Sequence, residues 1–282
     1  MYRLALFLCL FFSNSYAQGT IVGEVHDAGT GEVIPYISIG IIGERIGTVS
    51  NELGKFSLQL PEGMTKGEVR FSVYGYEPLE LEISSLINQL KNNGNVIELN
   101  HIVFEQDEVK VIAPKKVKIK VLGKVSKSGT MSIGFPSNEL GTELGLFLKI
   151  KKRSFLDEFN FYLLNNNYDS LKFRLNFYAC DKQKKPTDSL LAEGVVFTVR
   201  NSFSGSMTID LREYDLIVNQ NVVLALEVID GFGKTEEGKE NHLAFAAVFG
   251  GNSFMRFTSQ ADWEDMPLAA PALNVTVRQE FP

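Results

Sequence analysis

Apolar residues recur at every second position along most of this chain. Phe56, Leu58 and Leu60 alternate with Lys55, Ser57 and Gln59, the pattern of a strand with one buried and one wet face. Ile37, Ile39 and Ile41 alternate in the same way with Tyr36, Ser38 and Gly40. Leu171, Phe173, Leu175 and Phe177 alternate with Lys172, Arg174, Asn176 and Tyr178. Further period-two or apolar runs lie at 144–148, 159–161, 196–199, 207–211, 222–229, 243–249 and 273–277. Polar turns separate them, such as Asn165-Asn166-Asn167 and Asp181-Lys182-Gln183. Only 84–93 suggests a helix, of one turn or two. Many short strands without helices between them predict antiparallel β-sandwiches.

The first hundred residues carry a particular turn grammar. Thr20 to Val25 is a short strand that ends at Asp27-Ala28-Gly29-Thr30-Gly31, where aspartate bonds its own backbone and glycine supplies positive φ. Pro35 enters the next strand, and Ser50-Asn51-Glu52-Leu53-Gly54 is a turn that predicts positive φ at Gly54. Strands follow at 68–73 and 77–83, and 96–99 closes the unit. The set Gly23, Val25, Asp27, Thr30-Gly31, Pro35, Gly47-Thr48, Gly54, Phe56, Phe71-Ser72 and Gly75-Tyr76 resembles the carboxypeptidase regulatory-like domain. The resemblance implies a transthyretin-like β-sandwich that serves as a carrier or interaction module rather than a catalyst. These positions mark turns and core, not chemistry. Asn51 stands where that family commonly has aspartate, and asparagine accepts the same turn geometry.

Family members sometimes follow a zinc peptidase domain or precede the plug of a TonB-dependent receptor. His26, His101 and His242 are the only histidines and show no zinc-peptidase spacing. Gln106 to Val111 resembles the acidic-then-valine segment of those receptors, but too few residues remain for a plug and a large barrel. The segment is read as a linking strand.

Met1 to Ala17 has one arginine, a short apolar run and small residues near its end, which predicts a signal peptide cut after Ala17. The run is too short to span a bilayer. Cys9 follows Leu8, so no lipid anchor is expected. The expected organisation is signal peptide 1–17, regulatory-like sandwich 18–100, linker 101–120, and a second, jelly-roll-like sandwich at 121–282. Its length suits about eight to ten strands.

Beyond the leader, Cys180 is the single cysteine, so the core must hold without an internal disulfide. With 44% hydrophobic residues that is feasible. A net charge of -6 argues against nucleic acid as a partner. Acids dominate before Asn100 and lysines gather from Lys110 to Lys127. The lysine run is read as a solvated connector, with contact to anionic lipid or glycan as the sharper option.

Candidate chemistry is sparse. Ser206 is expected in a turn between strands, without a base nearby in sequence, and a triad through His242 would have to assemble in space. Gly233-Lys234-Thr235 lacks the upstream glycine and following helix of a phosphate loop. Asp262-Trp263-Glu264-Asp265 offers carboxylates for Ca²⁺ or a ring for stacking on sugar, but is read as an acidic loop with Trp263 folded onto the sandwich edge. Asp169-Ser170-Leu171 and Asp188-Ser189-Leu190 resemble a bacterial O-glycosylation signal. Cys180 shares the face of Lys172, Arg174 and Asn176, so it is expected to be partly exposed; Lys182, Lys184 and Lys185 stand near enough to lower its pKa, but as loop lysines they are mobile and screened by solvent.

The expectation is an all-β, exported, non-catalytic interaction protein with no assigned catalytic, cofactor-binding or metal-ligating residue. Its partner would be an envelope protein or a glycan, in the periplasm or at the outer membrane. Two alternatives stand beside it: an accessory of a TonB-dependent uptake system, and a hydrolase with its site in the second sandwich.

Overall fold

The structure is a computed structural model describing residues 19–102, 116–135, 139–191, 194–232 and 242–280. The first unit contains β1 (Gly19–Asp27), β2 (Ser38–Ile41), β3 (Gly47–Val49), β4 (Lys55–Leu60), β5 (Glu68–Ser72), β6 (Leu79–Glu82), α1 (Ile83–Asn92) and β7 (Val96–Leu99). Its sheets run β4-β1-β7 and β3-β2-β5-β6. β1 is antiparallel to β4, with Ile21 opposite Leu58, and parallel to β7, with Val25 beside Ile97. The inner faces enclose Val25, Leu58, Ile97, Ile39 and Phe71, all fully buried. Phe56 meets Phe71 edge-on at 5.5 Å.

Strand β4 alternates as the sequence predicts, with Phe56, Leu58 and Leu60 buried and the residues between exposed. The helix is longer than expected. It spans ten residues from Ile83 and buries Ile83, Leu86 and Leu90 as one stripe, while Lys91 sits favourably against the negative end of its dipole. Gly54 has φ +69°. Its N–H donates to the Asn51 carbonyl at 3.0 Å, and the Asn51 side chain accepts from the backbone N–H groups of Leu53 and Lys55. A Cβ at Gly54 would lie 2.8 Å from the Val25 carbonyl oxygen.

The second unit contains β8 (Val117–Gly123), β9 (Ser132–Phe135), β10 (Glu143–Leu148), β11 (Ser154–Asn166), β12 (Ser170–Cys180), β13 (Pro186–Ser189), β14 (Val195–Arg200), β15 (Gly205–Asp210), β16 (Ile217–Val218), β17 (Val222–Phe232), β18 (Leu243–Phe249), β19 (Ser253–Arg256), β20 (Glu264–Asp265), β21 (Ala269–Pro271) and β22 (Asn274–Glu280). One sheet runs β13-β12-β17-β10-β19-β20, with β14 also on β12. The other runs β21-β18-β11-β22-β8, with β15 and β16 on β11 and β9 on β18. This is an antiparallel sandwich. Its core is aromatic: Phe161 lies 6.2 Å from Phe173 and 6.0 Å from Phe245, and Phe173 stacks on Phe197 at 5.6 Å.

Several short strands, β13, β16, β20 and β21 among them, escape the periodicity because two to four residues are too few to display a period. The segment read as a linker ends inside β8, which starts at Val117, and 103–115 lie outside the described residues.

β2 departs most from the reading of one buried and one polar face. All four of its residues are buried. Its inner face meets the first core, and its Ser38 and Gly40 face meets the second sandwich.

Candidate functional site

Four neighbouring strands of the second unit send one charged side chain each to the face that meets the first unit. Arg174 on β12 is the register partner of Glu227 on β17. Glu227 pairs with Glu143 on β10, and Glu143 with Arg256 on β19. A row of charges, plus-minus-minus-plus, therefore crosses the sheet. Arg174, Glu227 and Glu143 are 4%, 2% and 0% exposed. Opposite charges directly across strands attract, and two acids side by side repel. The arginines lie outside the acids and balance them.

Hydrogen bonding completes the row. Arg174 grips Glu227 with two parallel bonds, Nε to Oε2 at 2.8 Å and Nη2 to Oε1 at 2.9 Å, the strong bidentate geometry. Asn176, two residues further along β12, donates Nδ2 to both acids, reaching Glu227 at 3.0 Å. Tyr178 donates to Glu143 Oε1 at 2.9 Å. Arg256 donates to Glu143 Oε2 and to the Tyr178 hydroxyl oxygen. Ser38 of the first unit donates to Glu227 Oε1 at 3.1 Å. All four carboxylate oxygens are thus occupied by side-chain donors.

Burial shifts these groups. Desolvation pushes the Glu143 carboxyl above its ordinary range against the pull of Arg256. Burial pushes Glu227 the same way, but the charge and bonds of Arg174 outweigh it and hold that carboxyl low. Desolvation also raises the Tyr178 phenol well above its usual value, with the Glu143 charge adding to it.

The row is the floor of a seam between the two units. Arg174 Nη1 donates to the Tyr36 carbonyl at 2.8 Å and Nη2 to Ser38 Oγ. The Lys172 ammonium lies 4.1 Å from the centre of the Tyr36 ring, a cation–π contact. Tyr74 donates its hydroxyl to Asn176 Oδ1. Gln260 reaches Ser72 Oγ at 2.8 Å, and its carbonyl accepts the Gly43 N–H at 3.0 Å. Arg45 covers the Phe257 ring at 3.9 Å and pairs with Glu264.

Two glycines allow this approach. A Cβ at Gly40 would lie 2.1 Å from the Ser259 carbonyl oxygen, and one at Gly47 2.4 Å from the same atom. At one edge the seam opens into a cleft of about 400 Å³. Tyr74, Tyr76 and Arg70 of the first unit line it with Asn176, Tyr178 and Ser189 of the second.

The sequence reading did not pick out this row. Lys172, Arg174, Asn176 and Tyr178 look like a solvent face in isolation. A signal exists nonetheless: Glu227 sits inside the otherwise apolar run Val222 to Ile229, and Glu143 directly precedes the run Leu144 to Leu148. Charges in such positions are rare unless paired.

The residues considered for catalysis do not assemble. Ser206 lies within β15 rather than in a turn. His242 is exposed, and its backbone N–H bonds Asn167 just before β12. Cys180 ends β12, so its eleven residues put the thiol roughly 30 Å from that point. Cys180 is half-buried, and burial together with Asp181 raises its pKa. Desolvation thus outweighs the screened charges of the loop lysines. Gly233-Lys234-Thr235 lie outside the described residues.

In the acidic loop, Glu264 turns to Arg45 and Asp265 to Lys185 at 3.2 Å. Trp263 is half-buried, edge-on to Tyr178 at 5.7 Å and under the Arg256 guanidinium at 4.7 Å. Ser170 is half-buried at the start of β12, whereas Ser189 is exposed at the cleft. Among the described residues no helix is long and apolar enough to cross a membrane.

The sequence of the first unit coincides with a known family. The family model of the CarboxypepD_reg-like domain matches residues 21–111. The first unit is a CarboxypepD_reg-like domain. No curated protein sequence matches the chain.

Among solved structures, the chain is similar to the cysteine protease and lectin-like domains of Cwp84, a surface-layer-associated protein of Clostridium difficile. Identity is 9% and the TM-score 0.39, over 94% of this chain and 59% of that one. The chain thus spans less than two thirds of that protein's crystallised length. An infectious bursal disease virus structure is similar at 12% identity and TM-score 0.24, over 92% of this chain and 62% of that one. Likenesses this faint leave the CarboxypepD_reg-like domain as the informative match.

Proposed function

We propose that this is an exported, non-catalytic binding protein of the bacterial cell envelope, with a glycan as ligand in the cleft between the CarboxypepD_reg-like domain and the second sandwich. The observation that carries this reading is the saturation of the buried acids. Each oxygen of Glu143 and Glu227 already accepts a side-chain donor, so neither is poised to exchange a proton with a substrate. The cleft meanwhile presents phenols, hydroxyls and an amide around a charge-balanced floor. Such groups suit a neutral polyhydroxylated ligand, since a site rich in fixed donors and acceptors replaces the water that sugar hydroxyls lose.

A hydrolase is the second reading. One observation favours it: two neighbouring carboxyls with pKa values displaced in opposite directions, the pattern that separates an acid from a nucleophile. Against it, Glu143 is fully buried and does not line the cleft.

The test combines a glycan array with peptidase, esterase and glycosidase panels on the same preparation. Binding without turnover, weakened by Asp188→Ala and Ser189→Ala at the mouth, is the expected result. Turnover abolished by Glu227→Gln in a folded variant would replace this reading with the hydrolase.

A further inference from the structure

One end of the second sandwich combines protruding apolar side chains with a concentration of cations. Three connections meet there: 149–153 after β10, 181–185 after β12, and 250–252 between β18 and β19. Strand register brings them together. Leu148 is opposite Val222, Tyr178 is opposite Val223, and Leu146 is opposite Ser253. Asn221 ties the first two, accepting from the Ile150 N–H through its side chain and from the Cys180 thiol through its carbonyl. Lys184 ties in the third. Its ammonium reaches Asn252 Oδ1 at 3.4 Å and lies 5.4 Å from the centre of the Phe147 ring.

Phe249 and Leu268 project from this end, 78% and 69% exposed. Their backbones are neighbours: the Gly250 N–H donates to the Leu268 carbonyl at 2.9 Å, and Phe249 is the register partner of Ala269. Lys124 approaches the Gly251 position next to them. Lys149, Lys151, Lys182 and Lys184 are exposed on the connections that meet at this end. The local acids do not cancel them. Asp265 is taken by Lys185 and Glu280 by Arg153, which leaves the Asp181 carboxylate against four exposed lysines. This cationic end belongs to a chain whose net charge is -6, so the protein is strongly polarised.

We propose that this end docks on the surface of an anionic lipid bilayer. Exposed apolar side chains among long cationic ones match the composition of a bilayer interface. Phe249 and Leu268 reach the acyl boundary while the lysines spread onto the phosphates above it. A purely polyanionic partner would leave the apolar pair unused, and a purely apolar one would leave the lysines unused.

The test is co-sedimentation of the full chain with vesicles of phosphatidylcholine alone or mixed with phosphatidylglycerol. Binding is expected only to the mixed vesicles, and it should weaken as salt rises. Phe249→Ser with Leu268→Ser should lower the bound fraction several-fold, as should Lys151→Gln with Lys182→Gln. Lys66→Gln with Lys91→Gln, the same charge change on the first domain, should leave it unchanged. Melting temperatures near that of the parent chain show that the variants are folded. Absence of binding to the mixed vesicles overturns the proposal. So does binding that survives both test pairs, or binding to soluble polyphosphate without binding to vesicles.

Discussion

Gly40→Ala tests whether the seam is as tight as described. Gly40 lies in β2 without a positive φ, so alanine costs nothing in its own backbone. In a strand it should even gain about 0.5–1 kcal/mol by reducing the freedom of the unfolded chain. The opposing effect comes chiefly from the second sandwich, since within the first domain only the Ile46 carbonyl oxygen, at 3.0 Å, comes close. The new Cβ would meet the Ser259 carbonyl oxygen at 2.1 Å and the Ser259 carbonyl carbon at 3.1 Å. That oxygen is backbone and cannot rotate away, so the two domains must separate locally by roughly 1 Å to restore van der Waals contact. Overpacking of this kind costs about 1–3 kcal/mol, and slackening of the Ser38, Arg174 and Glu227 bonds adds to it. A net loss of about 1–2 kcal/mol should lower the melting temperature of the full chain by about 2–8 °C, at about 2–4 °C per kcal/mol for a chain this large. Differential scanning calorimetry measures it directly. Gly19→Ala, in β1 with nothing within 4 Å of its Cβ, is the control and should not destabilise. A Gly40→Ala protein that melts at or above the parent temperature would refute the tight seam.

Gly54→Val should destabilise the chain by at least about 1 kcal/mol in a urea titration, because it combines positive φ with a Cβ 2.8 Å from the Val25 carbonyl oxygen; an unmoved midpoint would contradict the turn. Glu227→Gln leaves Arg174 buried without its counter-charge and should cost about 3–5 kcal/mol by the same titration, while Arg153→Gln, in a pair about one-third exposed, should cost under about 1 kcal/mol. Cys180 should react with a thiol reagent more slowly than a free cysteine at neutral pH. Its pKa is raised, so the thiolate fraction climbs only once the pH exceeds the ordinary thiol range; a rate at pH 7 above that of free cysteine would show that the loop lysines prevail after all.

The strands that could be read from the sequence are those with a long, uninterrupted period. β4 appears almost residue for residue, because one face meets a core and the other meets water. The turn at Gly54 was legible because a positive φ leaves a chemical mark. The seam was not legible for a physical reason. A polar strand face facing water and one facing a second domain use the same residue types, and Arg174 and Asn176 satisfy either reading. Only the register of four strands, spread over more than eighty residues from Glu143 to Arg256, turns isolated charges into a row. The short strands β16, β20 and β21 take their conformation from their neighbours rather than from their own pattern.

The chain contains one tryptophan, and it sits at the rim of the charge row, under Arg256 and against Tyr178. Arg256 lies over that ring and at the same time holds Glu143. The indole therefore senses a nearby cation whose position depends on the row being intact. Its emission should change when the charge row rearranges, even if both β-sheets persist, whereas far-ultraviolet circular dichroism should respond only when the sheets melt. The protein thus carries an internal optical gauge of domain association, and any ligand that pries at the cleft has a spectroscopic signature without a label being attached.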